Sequence, residues 1–126
     1  MTLEEIFKLN MSYDDFDKRI YKKEFIKILR NFAKKDLCLN KEDFDITFSE
    51  GGYASEGEAI LHTDNIYISL AAREHLSPNH QVLYRRVKNR KDYTGAGNNF
   101  CSAEFAFESG KNSFLEILQN LNKKSS

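Results

Sequence analysis

An α+β fold is predicted by three changes of hydrophobic period along this 126-residue chain. Apolar residues recur at three- and four-residue steps from Phe16 to Phe32, alternate from Phe44 onward, and return to helical spacing between Phe114 and Leu121. The expected architecture is two N-terminal helices, an antiparallel four- to five-stranded sheet and a C-terminal helix, with the helices packed on one sheet face. Length and the lack of a linker-like stretch predict a single α+β domain over 1–126. Ten Phe and six Tyr supply an aromatic core without any tryptophan.

Thr2 and Glu5 form a capping box that opens a short helix over Leu3–Leu9. Ser12 caps a second helix, with Asp14 and Asp15 in its first turn where carboxylates favour the macrodipole. Phe16, Ile20, Phe25, Ile28, Leu29 and Phe32 form its apolar stripe, and it frays near Lys35–Asp36. Phe44, Ile46 and Phe48 alternate with Asp45, Thr47 and Ser49 as a half-buried strand. Residues 50–57 read as a turn-rich loop. Glu58–His62 and Ile66–Leu70 flank Thr63-Asp64-Asn65 as a hairpin that lacks the usual Asn-Gly turn. Ala71–Gln81, with the only proline at Pro78, reads as a connection. Val82–Lys88 and Asn99–Phe107 are expected as the last two strands. Ser113 and Glu116 make a second capping box, which starts a helix with Phe114, Ile117, Leu118 and Leu121 on one face.

Charge is balanced overall, with 19 basic and 19 acidic residues, which excludes a histone-like polycation. The distribution is uneven. Up to His80 there are 15 acidic and 11 basic residues, whereas Gln81–Phe100 holds five basic residues against Asp92 alone. The five are Arg85, Arg86, Lys88, Arg90 and Lys91, with Tyr84 before them, Tyr93 after them and the glycine- and asparagine-rich turn Gly95-Ala96-Gly97-Asn98-Asn99 following. Alternation pairs Arg85 with Leu83 and Val87, and Arg86 with Tyr84 and Lys88. With the first set against the helices, Arg86 and Lys88 project together and Arg90 and Lys91 extend the patch. Arginine forks onto phosphate, tyrosine stacks on bases, and glycine lets backbone approach a ligand, so this hairpin arm fits a nucleic-acid groove or an anion nest. The plainer reading is a solvated strand edge that deters edge pairing, partnered by the chain's own Glu50, Glu56, Glu58 and Asp64.

Other motifs fail on spacing. Gly95-Ala-Gly-Asn-Asn-Phe100 puts phenylalanine where a dinucleotide fingerprint needs its third glycine. Gly110-Lys111 precedes a helix, but Phe105 and Asn112 break the P-loop pattern. His62, His75 and His80 lack metal-ligand spacing, so neither a metal nor a cofactor is expected. Cys38 and Cys101 form no Cys-x-x-Cys, and Cys101 reads as a small strand residue rather than a nucleophile. Glu50, Glu56 and Glu58 match no calcium loop. The two thiols and an N-terminus without a signal pattern point to a cytoplasmic protein with no membrane partner.

The chain's size and its richness in lysine, asparagine and isoleucine resemble small accessory proteins of bacteria and phages, such as anti-CRISPR inhibitors and immunity proteins. No functional residue carries over from that resemblance. The leading expectation is a non-enzymatic binding or inhibitor protein. Its arm of Tyr84, Arg85, Arg86, Lys88, Arg90, Lys91, Tyr93, Gly95, Gly97, Asn98 and Asn99 would engage nucleic acid or a nucleic-acid-handling protein. Two alternatives stand beside it. One is a nucleotide- or phosphate-binding domain or small enzyme built on the Gly95–Asn99 turn. The other is a self-associating or immunity-type module in which the acidic Glu50–Glu58 loop of one copy or partner meets the basic arm of another; an acidic protein surface is likewise a candidate partner of the arm.

Overall fold

The computed structural model describes residues 18–51, 54–71, 80–91 and 97–123. Its N-terminal helix α1, Lys18–Asn31, carries the anticipated stripe. Phe25 and Leu29 are fully buried, while Lys22, Lys23, Lys27 and Arg30 face solvent. The helix then widens into a π-type turn over Phe32–Asp36, where the Leu37 N–H donates to the Phe32 carbonyl at 3.0 Å. That widening lets the adjacent Phe32 and Ala33 both point inward. Helical structure ends at Asp36, where the helix is expected to fray, and Cys38 takes a left-handed φ of 56°. Of the two expected N-terminal helices, one is present among the described residues. The Leu3–Leu9 helix and the Ser12 cap lie outside them.

A short 3₁₀ turn, Lys41–Asp43, leads into the sheet, and the Asn40 N–H donates to Asp43 Oδ2 at 3.0 Å. Five strands follow as β1 (Phe44–Gly51), β2 (Ala54–Thr63), β3 (Ile66–Ala71), β4 (Val82–Arg86) and β5 (Asn99–Cys101). They lie in sequence order, and each pairs antiparallel with the next. The expected loop at 50–57 is therefore mostly strand. Pairing of Ile46 with Leu61 and of Phe48 with Ala59 sets the register, and the ladder continues past the polar residues to Gly51 and Ala54. The β2–β3 hairpin is closed by Thr63 instead of an Asn-Gly pair. Its Oγ1 accepts the N–H groups of Asn65 at 3.1 Å and Ile66 at 2.9 Å.

The last expected strand ends early. Beyond Cys101 the chain forms helix α2, Ala103–Phe107, with Ser102 as N-cap accepting from the Phe105 N–H. Gly110 then lets α2 abut the following helix, since a Cβ there would stand 2.3 Å from a Phe105 ring carbon. Helix α3, Lys111–Lys123, begins two residues before the expected Ser113 cap.

One core joins these elements. Phe25, Leu29 and Phe32 from α1 and its turn, and Phe114 and Leu118 from α3, meet Ala59, Leu61, Ile68, Leu70, Val82 and Tyr84 of the sheet. The strand residues in this list share one sheet face, so the described helices cover that face, as expected. Phe114 sits at the centre. Its ring lies 5.1 Å edge-on from Tyr84, 5.8 Å from Phe32, and 6.3 Å from both Phe105 and Phe107.

Two substitutions test this account. Phe114→Ala should cost about 3–5 kcal/mol, read from the urea midpoint, because the cavity it leaves is walled by four other rings. Thr63→Val should cost about 1–3 kcal/mol by removing the acceptor of two turn N–H groups, of which that of Ile66 is buried, with Thr63→Ser retaining most of the stability.

Candidate anion-binding surface

Strand β4 carries the start of the basic run, and its two faces have different fates. Val82 and Tyr84 point into the helix-covered core, with Tyr84 only 9% exposed. Leu83 and Arg85 point to the other sheet face. Of the two parities that alternation left open, the Tyr84–Arg86 face is the one that meets the helices, the opposite of the case in which Arg86 and Lys88 project together, and Arg86 is exposed at the strand end, opposite Ile66.

Arg85 leaves the surface altogether. It is 3% exposed, and its guanidinium lies 4.6 Å from the ring centroid of Tyr67, its register partner on β3. Tyr67 pairs in turn with His62, which is 2% exposed and meets the tyrosine ring edge-on at 5.4 Å. His62 pairs with Asp45 on β1, so a polar row of Asp45, His62, Tyr67 and Arg85 crosses four strands. Beside it Ser69 donates to Glu58 at 2.5 Å. Glu58 lies on β2, in agreement with the expected strand over Glu58–His62. The sequence signal for this second buried face is that β2 and β3 are apolar or small at both parities, as in Ile60 and Ala71.

The remaining cations sit at the root of the β4–β5 connection, where anchoring and exposed residues interleave. Val87 is 5% exposed, and its N–H donates to the Asn65 carbonyl at 2.9 Å. Asn89 Oδ1 accepts the Lys91 N–H at 2.8 Å, an Asx turn that curls the chain. Arg90 reaches back across the sheet end. Its Nε donates to Asp64 Oδ1 at 2.9 Å, one terminal nitrogen to Asp45 Oδ2 at 3.5 Å, and the other to the Glu42 carbonyl. Desolvation opposes its charged form, but the hydrogen bond and charge of Asp64, and then of Asp45, outweigh that and raise its pKa. Between these anchors Arg86, Lys88 and Lys91 are exposed.

At the far end of the connection Gly97 takes a left-handed φ of 85°, and Asn98 is exposed. The Asn99 amide donates to the carbonyls of Tyr84 and Gly97, so it closes the hairpin. Phe100, the one large exposed hydrophobic among the described residues, lies 5.0 Å from the His80 ring. Tyr93 and Gly95 lie outside the described residues, as do His75 and the side chains of Glu50 and Glu56. Of the four acidic partners suggested by the sequence, Asp64 does pair with the arm.

Next to this root, between the π turn, the β2–β3 hairpin and α3, lies a cleft of about 350 Å³. Leu37, Leu39, Ile66, Leu115 and Leu118 line it together with Asp36, Asp43 and Asp64. Its carboxylates are held within the fold: Asp36 pairs with Lys111 at 3.2 Å, Asp43 accepts from the Asn40 N–H, and Asp64 holds Arg90. Among the described residues no group of three metal-ligating side chains comes together, and no helix is long and apolar enough to cross a membrane. No protein-family profile, curated protein or solved structure matches the chain.

Cys101 lies on β5 opposite Val82, and desolvation pushes its thiol from 9.0 up to about 12. Burial, and then the neighbouring Cys101, raise the Tyr84 phenol as well. A thiol held neutral is a poor nucleophile. Because the folded state holds these protons more tightly, the stability they confer is complete below pH 9 and falls as pH rises toward 12. The urea midpoint should therefore decline above about pH 9, and Cys101→Ala should flatten that decline. At about pH 8 a thiol reagent should modify exposed Cys38 quickly and Cys101 slowly.

Proposed function

We propose that this protein is a non-catalytic binding protein whose β4–β5 root engages the phosphate backbone of a nucleic acid. The observation that carries the reading is the placement of Arg86, Lys88 and Lys91, all exposed within six residues, on a chain segment anchored by Val87, Asn89 and Arg90. An anchored cluster of cations loses less conformational freedom on binding than the same side chains on a loose loop. The adjoining Gly97 and Asn98 offer backbone and amide groups at the other side of the connection. The phosphate backbone is favoured over the groove of a nucleic-acid-handling protein because such grooves are themselves basic and would repel these cations. Inhibition of such a protein would then act by occupying its nucleic acid.

Anisotropy of labelled single- and double-stranded DNA and RNA across a salt series tests the reading. Three phosphate contacts correspond to a slope of log K against log salt of about −2 for single strands and about −2.7 for duplex DNA. The triple variant Arg86→Glu, Lys88→Glu, Lys91→Glu should abolish binding while keeping the wild-type far-UV spectrum and melting curve. Absence of binding at low salt would sink direct nucleic-acid recognition, and capture by an acidic protein surface would become the better account.

A further inference from the structure

We infer that Arg90 is a positioning residue, a clasp that holds the root of the arm in place without contacting the anion. Its guanidinium donates through all three nitrogens to groups of its own chain, and these lie 26, 45 and 48 residues away in sequence. The partners come from three elements: the β2–β3 turn, strand β1 and the 3₁₀ turn before β1.

Charge excludes Arg90 from the binding surface. Two carboxylates, Asp45 and Asp64, face one guanidinium, so that point of the surface is net negative. A phosphate brought to Arg90 would meet both carboxylates at close range. Arg86, Lys88 and Lys91 flank the clasp along the chain, and the Arg90 bonds fix the direction in which the segment leaves the sheet. Its planar fork suits this task, since lysine cannot donate to three separated acceptors from one fixed plane.

This inference rests on the nucleic-acid reading for its functional consequence but not for its structural content, and two readouts separate them. The first is hydrogen exchange in the unbound protein at the Val87 and Lys91 amides, which are bonded to the Asn65 carbonyl and to Asn89 Oδ1. Arg90→Ala, Arg90→Lys and the double variant Asp45→Asn, Asp64→Asn should each speed exchange several-fold. The second is anisotropy with a labelled single-stranded oligonucleotide. All three variants should bind several-fold more weakly with an unchanged salt slope, because the number of phosphate contacts is the same.

A slope smaller by about 0.7 in Arg90→Ala, with tighter binding by the double asparagine variant, would overturn the inference and make Arg90 a contact restrained by its acids. Unchanged amide exchange would overturn it as well. If the wild type binds no oligonucleotide, the nucleic-acid reading falls, and exchange alone decides the clasp: faster exchange upholds it and unchanged exchange refutes it.

Discussion

Phe114 is the contact on which the rest of the structure depends. Its ring touches Phe32 at the end of α1, Tyr84 on β4, and Phe105 and Phe107 of α2, joining both ends of the described chain through the sheet. Each contact constrains something else. Drawing Tyr84 inward sets the parity of β4 and so places Arg85 on the opposite face. Seating Phe105 beside α3 leaves no room for a side chain at Gly110. Anchoring Phe32 accompanies the π-type widening that ends α1. The surface chemistry of the basic run is thus decided by an aromatic cluster beneath it.

The elements with one clear period were legible in the sequence. The stripe of α1 and the alternation of β1 each mark one face to bury, and Ile66, Ile68 and Leu70 of β3 alternate cleanly even though its other face is covered too, so spacing identifies them. Helix α2 was hidden because Phe105 and Phe107 stand two apart and imitate a strand. Its buried pair is Ala103 and Ala106, three apart, and five residues are too few for a helical period to show. The signals present were a capping residue at Ser102 and a glycine at 110. The β1–β2 hairpin was read as a loop because its tip is rich in glycine and polar residues, although ladder pairing carries through them.

The candidate site was legible as composition and illegible as geometry. Val82, Leu83, Tyr84 and Val87 put apolar side chains at both parities of β4, so alternation could not say which arginine would be covered. The answer depended on Phe114, thirty residues downstream. The polar row of Asp45, His62, Tyr67 and Arg85 is equally non-local, since its members come from four strands and meet only through register. Asp64 was legible as a partner of the arm because a turn carboxylate beside a hairpin end is a natural acceptor for arginine. That Asp45 and a backbone carbonyl would share the same guanidinium was not.

Chain order gives the Phe114 cluster a kinetic meaning. All five strands pair with their sequence neighbours, so the meander can assemble as it leaves the ribosome, one hairpin at a time. Phe25 and Leu29 of α1 precede the sheet, but the α3 residues that complete the cover of its inner face, Phe114 and Leu118, are synthesised after every described strand. Until they emerge, Tyr84, Val82 and Leu70 have no α3 to cover them, and a nascent chain stalled before residue 110 presents that apolar face to its surroundings.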